Sequence, residues 1–313
     1  MSCILQLVPT ADFPEERFAP RRERSAAYRA AVERGRAAMG RSRVAICGLA
    51  RNVGAYLPLT IARIERLGRM FADYRVFIYE NDSTDATPRQ LAQWAASNRR
   101  VEVVSETRHL PRHPAVRSLE RAADMAAYRD RCQCEVGRRW ADFDYACVVD
   151  TDLPDGWSYD GIAHSFGCGE WDFVGSYGII YQRQRLIPSR ALHYDVWAYR
   201  PLGSFEPLET REGNLLAWRR GEALVPVNSC FGGLGLYRMP AWLSAQYRGS
   251  DCEHVPLHRE MRERGYSRLF LNPSQIALYG RKRKRFDSLV LSVDRLVRRW
   301  FGASRYEVAA HVA

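Results

Sequence analysis

The sequence predicts an α/β fold in three layers, with a mostly parallel central sheet between two layers of helices. Short apolar runs alternate with segments of helical periodicity, which is typical of β-α-β units. Acidic turns follow two of these runs, at the end of a parallel strand where ligands usually bind. Hydrophobic residues make up 46% of the 313 residues and aromatic residues 12%, which indicates a globular chain.

The predicted elements follow one another in a regular order. A helix over 25–39 begins with Ser25 as its cap, and a short buried strand over 44–49 comes next. The later elements are a helix over 56–71, a strand over 74–79, a helix over 87–97, a strand over 101–104, a helix over 119–140, a strand over 145–149 that ends at Asp150, and strands over 171–178 and 230–237.

The net charge of +11 and the pI near 9.5 raise the question of anionic partners. Only Lys282 and Lys284 are lysines among the 47 basic residues, so the charge reflects arginine usage as much as phosphate binding. No nucleic-acid partner is expected. The eight cysteines show no paired C-x-x-C spacing, which favours reduced thiols over a zinc site.

The localisation expected from the sequence is cytosolic. No apolar stretch reaches the length of a membrane-spanning helix. The N-terminus lacks the basic start and apolar core of a signal peptide.

Two carboxylates, Asp150 and Asp152, follow the strand over 145–149. Such a pair on a short turn can share one divalent ion, whose other ligands are phosphate oxygens. An ion of this kind neutralises a diphosphate leaving group. A capped turn with solvated carboxylates is the alternative interpretation.

A second acidic turn, residues 79–85, follows the strand over 74–79. Glu80, Asp82 and Asp85 are candidates for hydrogen bonds to a base or ribose, as an acidic residue at a strand end makes in dinucleotide folds. The same residues would also satisfy an Asx-turn and a helix N-cap. Both interpretations can hold together.

These segments resemble a known enzyme family. The run from Val44 to Asn52, the Tyr-Glu-Asn-Asp-Ser-Thr-Asp turn and Val148 to Asp152 look like GT-A (Rossmann-like) glycosyltransferases, specifically the fungal capsule-associated α-1,3-mannosyltransferases and their bacterial relatives. Residues 194–200 resemble that family's Tyr-Asp-x-Trp-x-x-Arg segment, and residues 228–233 its glycine-containing strand. The similarity spans about residues 43–280, between an N-terminal helical extension (1–42) and a basic tail (281–313).

The resemblance implies a metal-dependent hexosyltransferase that uses a nucleotide-sugar donor. GDP-mannose is the first expectation for the donor, with a UDP-sugar as the alternative, and Mn²⁺ or Mg²⁺ as the metal. It implies Asp152 as the direct metal ligand and Asp150 close to the ribose or donor sugar and to the metal. The acceptor would be a glycan or a lipid-linked saccharide in surface polysaccharide assembly.

Further candidates are Arg51, after the first strand, and Asp195, Trp197 and Arg200 in the 194–200 segment. Trp197 is expected to stack on a sugar ring and Arg200 to pair with an anionic group. Asp195 is a catalytic candidate. A buried tryptophan with an Arg-Asp pair would serve the structure equally well.

The segment 252–258 offers a candidate base and two candidate metal ligands. Glu253 begins a predicted helix that ends near Gly265, and it is the candidate general base of an inverting reaction. His254 and His258 are candidates to complete the metal shell. The fungal relatives are retaining enzymes, which need no such base, so the stereochemistry stays open.

The basic tail predicts a helix with one apolar face. Residues 281–301 carry eight basic and two acidic residues around an apolar stripe that ends in Trp300 and Phe301. Such a helix can lie on an anionic membrane, which would make the protein peripheral on the inner face of the membrane. A helix packed on the sheet, or a contact in an oligomer, is the alternative.

Two rival functions remain. A sugar-1-phosphate nucleotidyltransferase would need a glycine-rich phosphate loop after the first strand, and the segment Cys47 to Asn52 lacks that richness. A membrane- or nucleic-acid-binding module without catalysis would use the basic tail alone, with the acidic turns as helix caps.

Overall fold

The computed structural model describes residues 12–114, 116–182 and 190–282. Two short 3-10 helices, Glu15–Phe18 and Arg22–Arg24, precede the regular part of the fold. Its first half alternates helices and strands: α1 (Ser25–Met39), β1 (Arg43–Ala50), α2 (Leu57–Gly68), β2 (Asp73–Asn81), α3 (Thr87–Ser97), β3 (Val101–Glu106), α4 (Leu119–Trp140) and β4 (Tyr145–Asp150).

The second half is richer in antiparallel strands. Its elements are α5 (Tyr159–Gly167), β5 (Phe173–Gln182), β6 (Arg190–His193), β7 (Arg200–Pro201), α6 (Thr210–Leu215), β8 (Val225–Ser229), β9 (Leu234–Arg238), α7 (Met239–Leu243), α8 (His254–Glu263) and β10 (Leu269–Lys282).

All described strands join one sheet, in the order β3-β2-β1-β4-β9-β5-β10-β8-β7, with β6 paired to β5. The pairs β1–β2, β1–β4, β2–β3 and β5–β10 are parallel. Strand β9 is antiparallel to both of its neighbours, β4 and β5, so those two strands point the same way. Only β6, β8 and β9 run against the common direction, which confirms the predicted mostly parallel sheet.

Helices cover both faces of the sheet. One layer joins α1, α2, α3 and α5: Arg66 of α2 lies over the Tyr159 ring of α5, and Glu65 accepts a hydrogen bond from Trp94 of α3. The other layer joins α4, α7 and α8 through Gln133, which donates to the carbonyls of Trp242 in α7 and Ala245 just after it, and Arg129, which reaches Glu253. The predicted three-layer α/β class is therefore confirmed.

Helix α1 packs closely on α5. A Cβ on Gly35 would lie 1.7 Å from the Ala163 carbonyl oxygen, so only glycine permits this approach of the two helices. The predicted cap of α1 is wrong, because Ser25 is already helical and the preceding Arg24 makes no capping bond.

Two predicted boundaries differ from the structure. The strand predicted over 171–178 begins at Phe173 and continues to Gln182. The strand predicted over 230–237 begins only at Leu234, because Gly232 and Gly233 adopt φ values of 69° and 89° and form a turn. That turn lies beside the carboxyl end of β4, where the Asp150 amide donates to the Gly233 carbonyl.

The helix predicted over 281–301 lies outside the described residues from position 283 onward. At 281 and 282 the backbone continues β10. Within the described ranges, no helix combines the length and apolar character needed to cross a bilayer.

Candidate functional site

The candidate site lies at the carboxyl edge of the sheet, where β1, β2 and β4 end side by side. Leu49 is paired with Asp150 and Ala50 with Glu80, so the two acidic turns flank the end of β1. This is the edge at which parallel α/β sheets bind ligands.

Asp150 is held by two donors from distant parts of the chain. Arg129 of α4 donates from Nη2 to Oδ1 over 3.0 Å, and the Tyr279 hydroxyl of β10 donates to Oδ2 over 3.0 Å. Gly233 makes room for Tyr279, since a Cβ on that glycine would lie 2.4 Å from the hydroxyl oxygen. Both oxygens of Asp150 are therefore oriented by the protein.

Arg129 also binds Glu253, at the N-terminus of α8. Its Nε donates to Oε1 over 2.8 Å, and its guanidinium lies 4.8 Å from the centre of the Phe231 ring. Arg129 and Glu253 are buried. Although burial alone would lower the pKa of Arg129, Glu253 and Asp150 raise it well above its usual value. One buried cation thus serves two carboxylates.

Asp152 differs from Asp150 because its side chain is exposed and no described residue forms an ion pair with it. The protein around it displaces much of the nearby water, and this desolvation, together with the negative charge of Asp150, raises its pKa to about 6. A divalent cation beside Asp152 would relieve this cost. Asp152 is the carboxylate of the edge that is open to such an ion.

Asp195 lies beside this pair in a strained backbone conformation. Its φ is 42°, and its Oδ2 accepts a hydrogen bond of 2.8 Å from the Gly232 amide. Desolvation raises the pKa of Asp195 to about 7; the Gly232 bond opposes this rise, and the charges of Asp150 and Glu253 add to it. A carboxyl group with this pKa is suited to accept a proton near neutral pH.

Arg121 enters the site from the first turn of α4. Its guanidinium carbon lies 5.3 Å from the centre of the Trp197 ring. Its charge acts on Asp152 and Tyr194, in each case favouring ionisation. Its guanidinium shows no hydrogen bond or ion pair to any residue in the described ranges. Trp197, predicted to stack on a sugar, instead has the Arg121 guanidinium over its ring. The N–H groups of that guanidinium make no hydrogen bond to the described residues.

Glu80 and Asp85 organise the loops rather than facing the cleft. Glu80 is buried, accepts from the Ser83 amide over 2.9 Å and is hydrogen-bonded by the Ser105 hydroxyl. Asp85 accepts from the amides of Gly54 and Thr87, each over 2.9 Å. The Asx-turn and capping interpretation describes both residues, and their predicted contact with a base or ribose stays a prediction.

Asp82 anchors the loop between β3 and α4. It accepts from the amides of Arg108, His109 and Leu110 over 2.6, 2.8 and 3.2 Å, and from the Asn81 side chain over 3.0 Å. Four donors occupy the roughly four lone-pair sites of a carboxylate, which leaves none for a nucleotide. The predicted donor-binding role of Asp82 is therefore wrong.

Arg51 holds the same loop from its other side. It donates to the carbonyls of Leu110 and Pro111 over 2.6 and 3.1 Å. Its predicted contact with the donor is therefore replaced by a contact with the chain. Together, Asp82 and Arg51 fix the base of this loop beside the site.

We expect Asp82→Asn to lower the free energy of unfolding by about 1–3 kcal/mol, because the amide nitrogen cannot accept backbone N–H groups. Burial alone would raise the pKa of Asp82, but its four donors lower it from 3.8 to about 2. A depressed pKa contributes stability above pH 3.8 that is lost as the pH falls towards 2.

Denaturant titrations of both proteins between pH 2 and 7 measure this effect. The difference between wild type and variant should be constant above about pH 5 and shrink below pH 4. A difference that does not change with pH would contradict the anchoring role.

The predicted histidine ligands and Arg200 belong to the interior. The His258 ring nitrogens lie 2.9 Å from the Ser229 hydroxyl and 3.2 Å from that of Tyr237, so the predicted metal role is wrong. His254 is buried against the Phe231 ring, with centroids 3.9 Å apart. Arg200 is fully buried, donates to three carbonyls and pairs with Asp251 over 2.6 Å, which excludes its predicted anion contact.

A divalent ion fits this edge only if a ligand completes its shell. No group of three or more metal-ligating side chains occurs among the described residues. Mg²⁺ and Mn²⁺ prefer oxygen ligands, and Mg²⁺ is often held by one or two carboxylates plus phosphate oxygens and water. Asp152, with Asp150 beside it, offers that donor set, whereas His254 does not join it.

Three residues of the site were not among the sequence candidates: Arg121, Arg129 and Tyr279. The two arginines lie eight residues apart on α4, a spacing that places them on one face of the helix leading into β4. That spacing was an available signal. Tyr279 had none, because β10 was not predicted as a strand.

No model of a known protein family matches the chain, and no curated protein matches it in sequence. Among solved structures it is similar to a mannosyltransferase from Pyrobaculum calidifontis in complex with GDP-Man and Mn²⁺, at 12% identity and a TM-score of 0.47, over 89% of this chain and 73% of that one.

It is also similar to glucosyl-3-phosphoglycerate synthase from Mycobacterium tuberculosis, at 16% identity and a TM-score of 0.45, over 86% of this chain and 83% of that one. A third similar structure is GalNAc-T7, at 12% identity and a TM-score of 0.47, over 87% of this chain and 56% of that one. At such scores the similarity transfers no activity, so the functional argument rests on the site.

Proposed function

We propose that this chain is a metal-dependent GT-A glycosyltransferase that transfers a hexose from a nucleotide-diphosphate sugar. The observation that carries the proposal is the exposed Asp152, without an ion-pair partner in the described structure, beside the oriented Asp150 and within electrostatic reach of the open guanidinium of Arg121. A carboxylate that can hold a cation and an arginine that can bind an anion are the two requirements of a metal–diphosphate site.

Asp152 and Asp150 would hold Mn²⁺ or Mg²⁺. When bound, that ion neutralises the charge that develops on the diphosphate as its bond to the sugar breaks. Arg121 binds a phosphate oxygen from the opposite side, held in place by the Trp197 ring. Asp150, fixed by Arg129 and Tyr279, accepts a hydrogen bond from the ribose or the sugar.

Asp195 is our choice for the residue that receives the proton of the acceptor hydroxyl. Its pKa of about 7 suits that task, and within the described residues only one of its carboxylate oxygens accepts a hydrogen bond, from the Gly232 amide. Glu253, the candidate base predicted from the sequence, is buried and bound to Arg129. An Asp195 base makes the reaction an inverting displacement.

The sugar, the acceptor and the biological role rest on the family resemblance. Mannose from GDP-mannose is the first choice, and a glycan or lipid-linked saccharide in surface polysaccharide assembly is the proposed acceptor. The rival nucleotidyltransferase gains no support, since β1 is followed by Arg51 and Asn52, which make structural bonds, and by a single glycine, Gly54.

Thermal unfolding with nucleotide sugars and Mn²⁺ tests the proposal. GDP-mannose or a UDP-sugar at 100 times its Kd should stabilise the protein by about 2.7 kcal/mol, and EDTA should remove most of this effect. Arg121→Gln should weaken nucleoside diphosphate binding about 10-fold or more, with a smaller loss for the monophosphate.

The matched control is Arg138→Gln, because Arg138 is an exposed arginine of the same helix whose one ion-pair partner in the described part of the chain is Glu135. It should bind like wild type. If no nucleotide sugar raises the melting temperature with Mn²⁺ present, the proposed function is wrong. If Arg121→Gln binds diphosphate as well as Arg138→Gln does, Arg121 has no role in donor binding.

A further inference from the structure

Three of the four exposed large apolar side chains follow β1 and β3 at the carboxyl edge of the sheet. Among the described residues, the exposed large hydrophobic residues are Tyr56, Val116, Leu119 and Leu202, at 43%, 57%, 65% and 53% exposure. Tyr56 lies between the end of β1 and α2, Val116 and Leu119 lie between β3 and the first turn of α4, and Leu202 directly follows β7. Because β1 and β3 are parallel and lie two positions apart in the sheet, Tyr56, Val116 and Leu119 share its carboxyl edge, whereas β7 lies at the far end of the sheet.

The charges between β3 and α4 on this edge are of one sign. Residues 107–119 include three arginines and two histidines and no aspartate or glutamate. Arg112 and Arg117 are exposed, and no ion pair involves either of them within the described structure. Asp82 and Arg51 fix the base of this loop through residues 108–111, so its basic and apolar side chains are presented beside the site.

Scattered apolar residues on a protein surface are ordinary, but the combination of three of them with a uniformly basic loop is not. Apolar side chains that enter the acyl boundary, flanked by arginines that meet lipid phosphates, are the composition of a surface that binds anionic bilayers. A soluble anionic polymer would satisfy the arginines and leave Val116 and Leu119 in water. The combination therefore favours a membrane.

We propose that this edge docks on an anionic phospholipid surface, so that the mouth of the candidate site faces the bilayer. The docking surface consists of Tyr56, Arg112, Val116, Arg117 and Leu119. The proposal needs neither the basic tail nor the proposed transfer reaction. Docking is measured without a sugar donor, and a failure of one proposal therefore leaves the other standing.

Cosedimentation of the full chain with vesicles made of equal parts phosphatidylcholine and phosphatidylglycerol tests this docking. Arg112→Gln/Arg117→Gln should weaken binding roughly 30-fold, at a factor of about 5 for each arginine near an anionic surface. Val116→Ser/Leu119→Ser should weaken it at least about 10-fold while keeping the charge. Pure phosphatidylcholine vesicles should bind the wild type far more weakly.

The matched control is Arg41→Gln/Arg99→Gln. Arg41 and Arg99 are exposed and lie just before β1 and β3, at the opposite edge of the sheet. Replacing both removes the same charge as the Arg112→Gln/Arg117→Gln variant does. This control should bind the vesicles within about 3-fold of wild type if membrane attraction depends on distance from the surface. Circular dichroism and melting temperatures should show all three variants folded, since every substituted side chain is exposed.

Two results would overturn the proposal. One is a loop-arginine variant that binds no worse than the opposite-edge control, which would reduce the attraction to net charge. The other is a pair of observations made together. The Val116→Ser/Leu119→Ser variant binds the vesicles like wild type, and the Arg112→Gln/Arg117→Gln variant loses as much affinity for heparin as it loses for vesicles. That pattern would assign the surface to a soluble anionic polymer.

Discussion

Asp152→Asn should reduce sugar transfer about 1,000-fold, with the fold intact. The substitution keeps the size of the side chain and removes the charge that would hold a divalent ion against the diphosphate. A metal ion contributes several kcal/mol of charge stabilisation, and about 4 kcal/mol corresponds to this factor in rate. The measurement is kcat/KM for transfer from the donor that stabilises the wild type, at saturating Mn²⁺.

The melting temperature of Asp152→Asn should stay close to that of wild type or rise, because its carboxylate is desolvated and has no ion-pair partner in the described structure. The variant should also lose the Mn²⁺-dependent part of donor binding. Asp195→Asn offers a contrast, since it should keep metal-dependent donor binding and lose transfer. This split separates a residue that holds the donor from one that moves a proton.

Asp155→Asn is the matched control for charge. Asp155 is exposed three residues further along the same loop, and its loss should leave transfer within about 2-fold of wild type if the effect is specific to the metal position. Wild-type turnover by Asp152→Asn, or full activity of the wild type in EDTA, would remove the metal from the proposed mechanism.

Local sequence patterns were sufficient to predict the elements that frame the site. The apolar runs of β1, β2 and β4 are short and mostly buried, and the helices between them show clear periodicity, so neighbouring residues specify both. The position of Asp150 and Asp152 at a strand end followed directly from β4. The parallel direction of these strands followed from the helices that connect them.

Strand β10 could not be predicted, because its centre is polar. Asn272, Ser274 and Gln275 interrupt the apolar pattern and coincide with a register shift against β5. They are nevertheless buried, since α5 approaches so closely that a Cβ on Gly161 would lie 1.9 Å from the Ser274 carbonyl oxygen. The hydroxyl of Ser165, in α5, donates a hydrogen bond to the side-chain amide of Gln275 and accepts one from that of Asn272. Partners about 110 residues away satisfy this segment, and no local pattern shows them.

The roles of the acidic residues after β2 also depended on distant contacts. Glu80, Asp82 and Asp85 have the residue types of a ligand-binding turn, yet backbone amides and hydroxyls of neighbouring loops fill their oxygens. For Asp82 the decisive donors lie 26 to 28 residues further along the chain. Sequence position assigned these carboxylates to one edge of the sheet, whereas the tertiary structure decides which of them remain open.

Arg129→Met should be the most destabilising substitution at the site, because it leaves Asp150 and Glu253 without their shared cation. Removing one partner of a buried ion pair typically costs about 3–5 kcal/mol, since the remaining charge is desolvated and uncompensated. Burial already raises the pKa of Asp150 against the opposing effect of Arg129. The free energy of unfolding from denaturant titration at neutral pH measures the loss.

Adding Glu253→Gln to Arg129→Met should recover part of this stability, because one of the two uncompensated charges is then gone. Two substitutions that act through one contact are not additive, so the double variant should be less destabilised than the sum of the single variants.

Arg131→Met, two residues along the same helix, is the control. The Arg131 side chain is about half exposed and its ion pairs span 3.7 and 4.0 Å, so its loss should cost less than about 1 kcal/mol. Equal losses for Arg129→Met and Arg131→Met, or strict additivity with Glu253→Gln, would show that Arg129 does not couple α4, β4 and α8. In that case the orientation of Asp150 would have to come from Tyr279 alone, and Tyr279→Phe would then reduce donor binding more than Arg129→Met does.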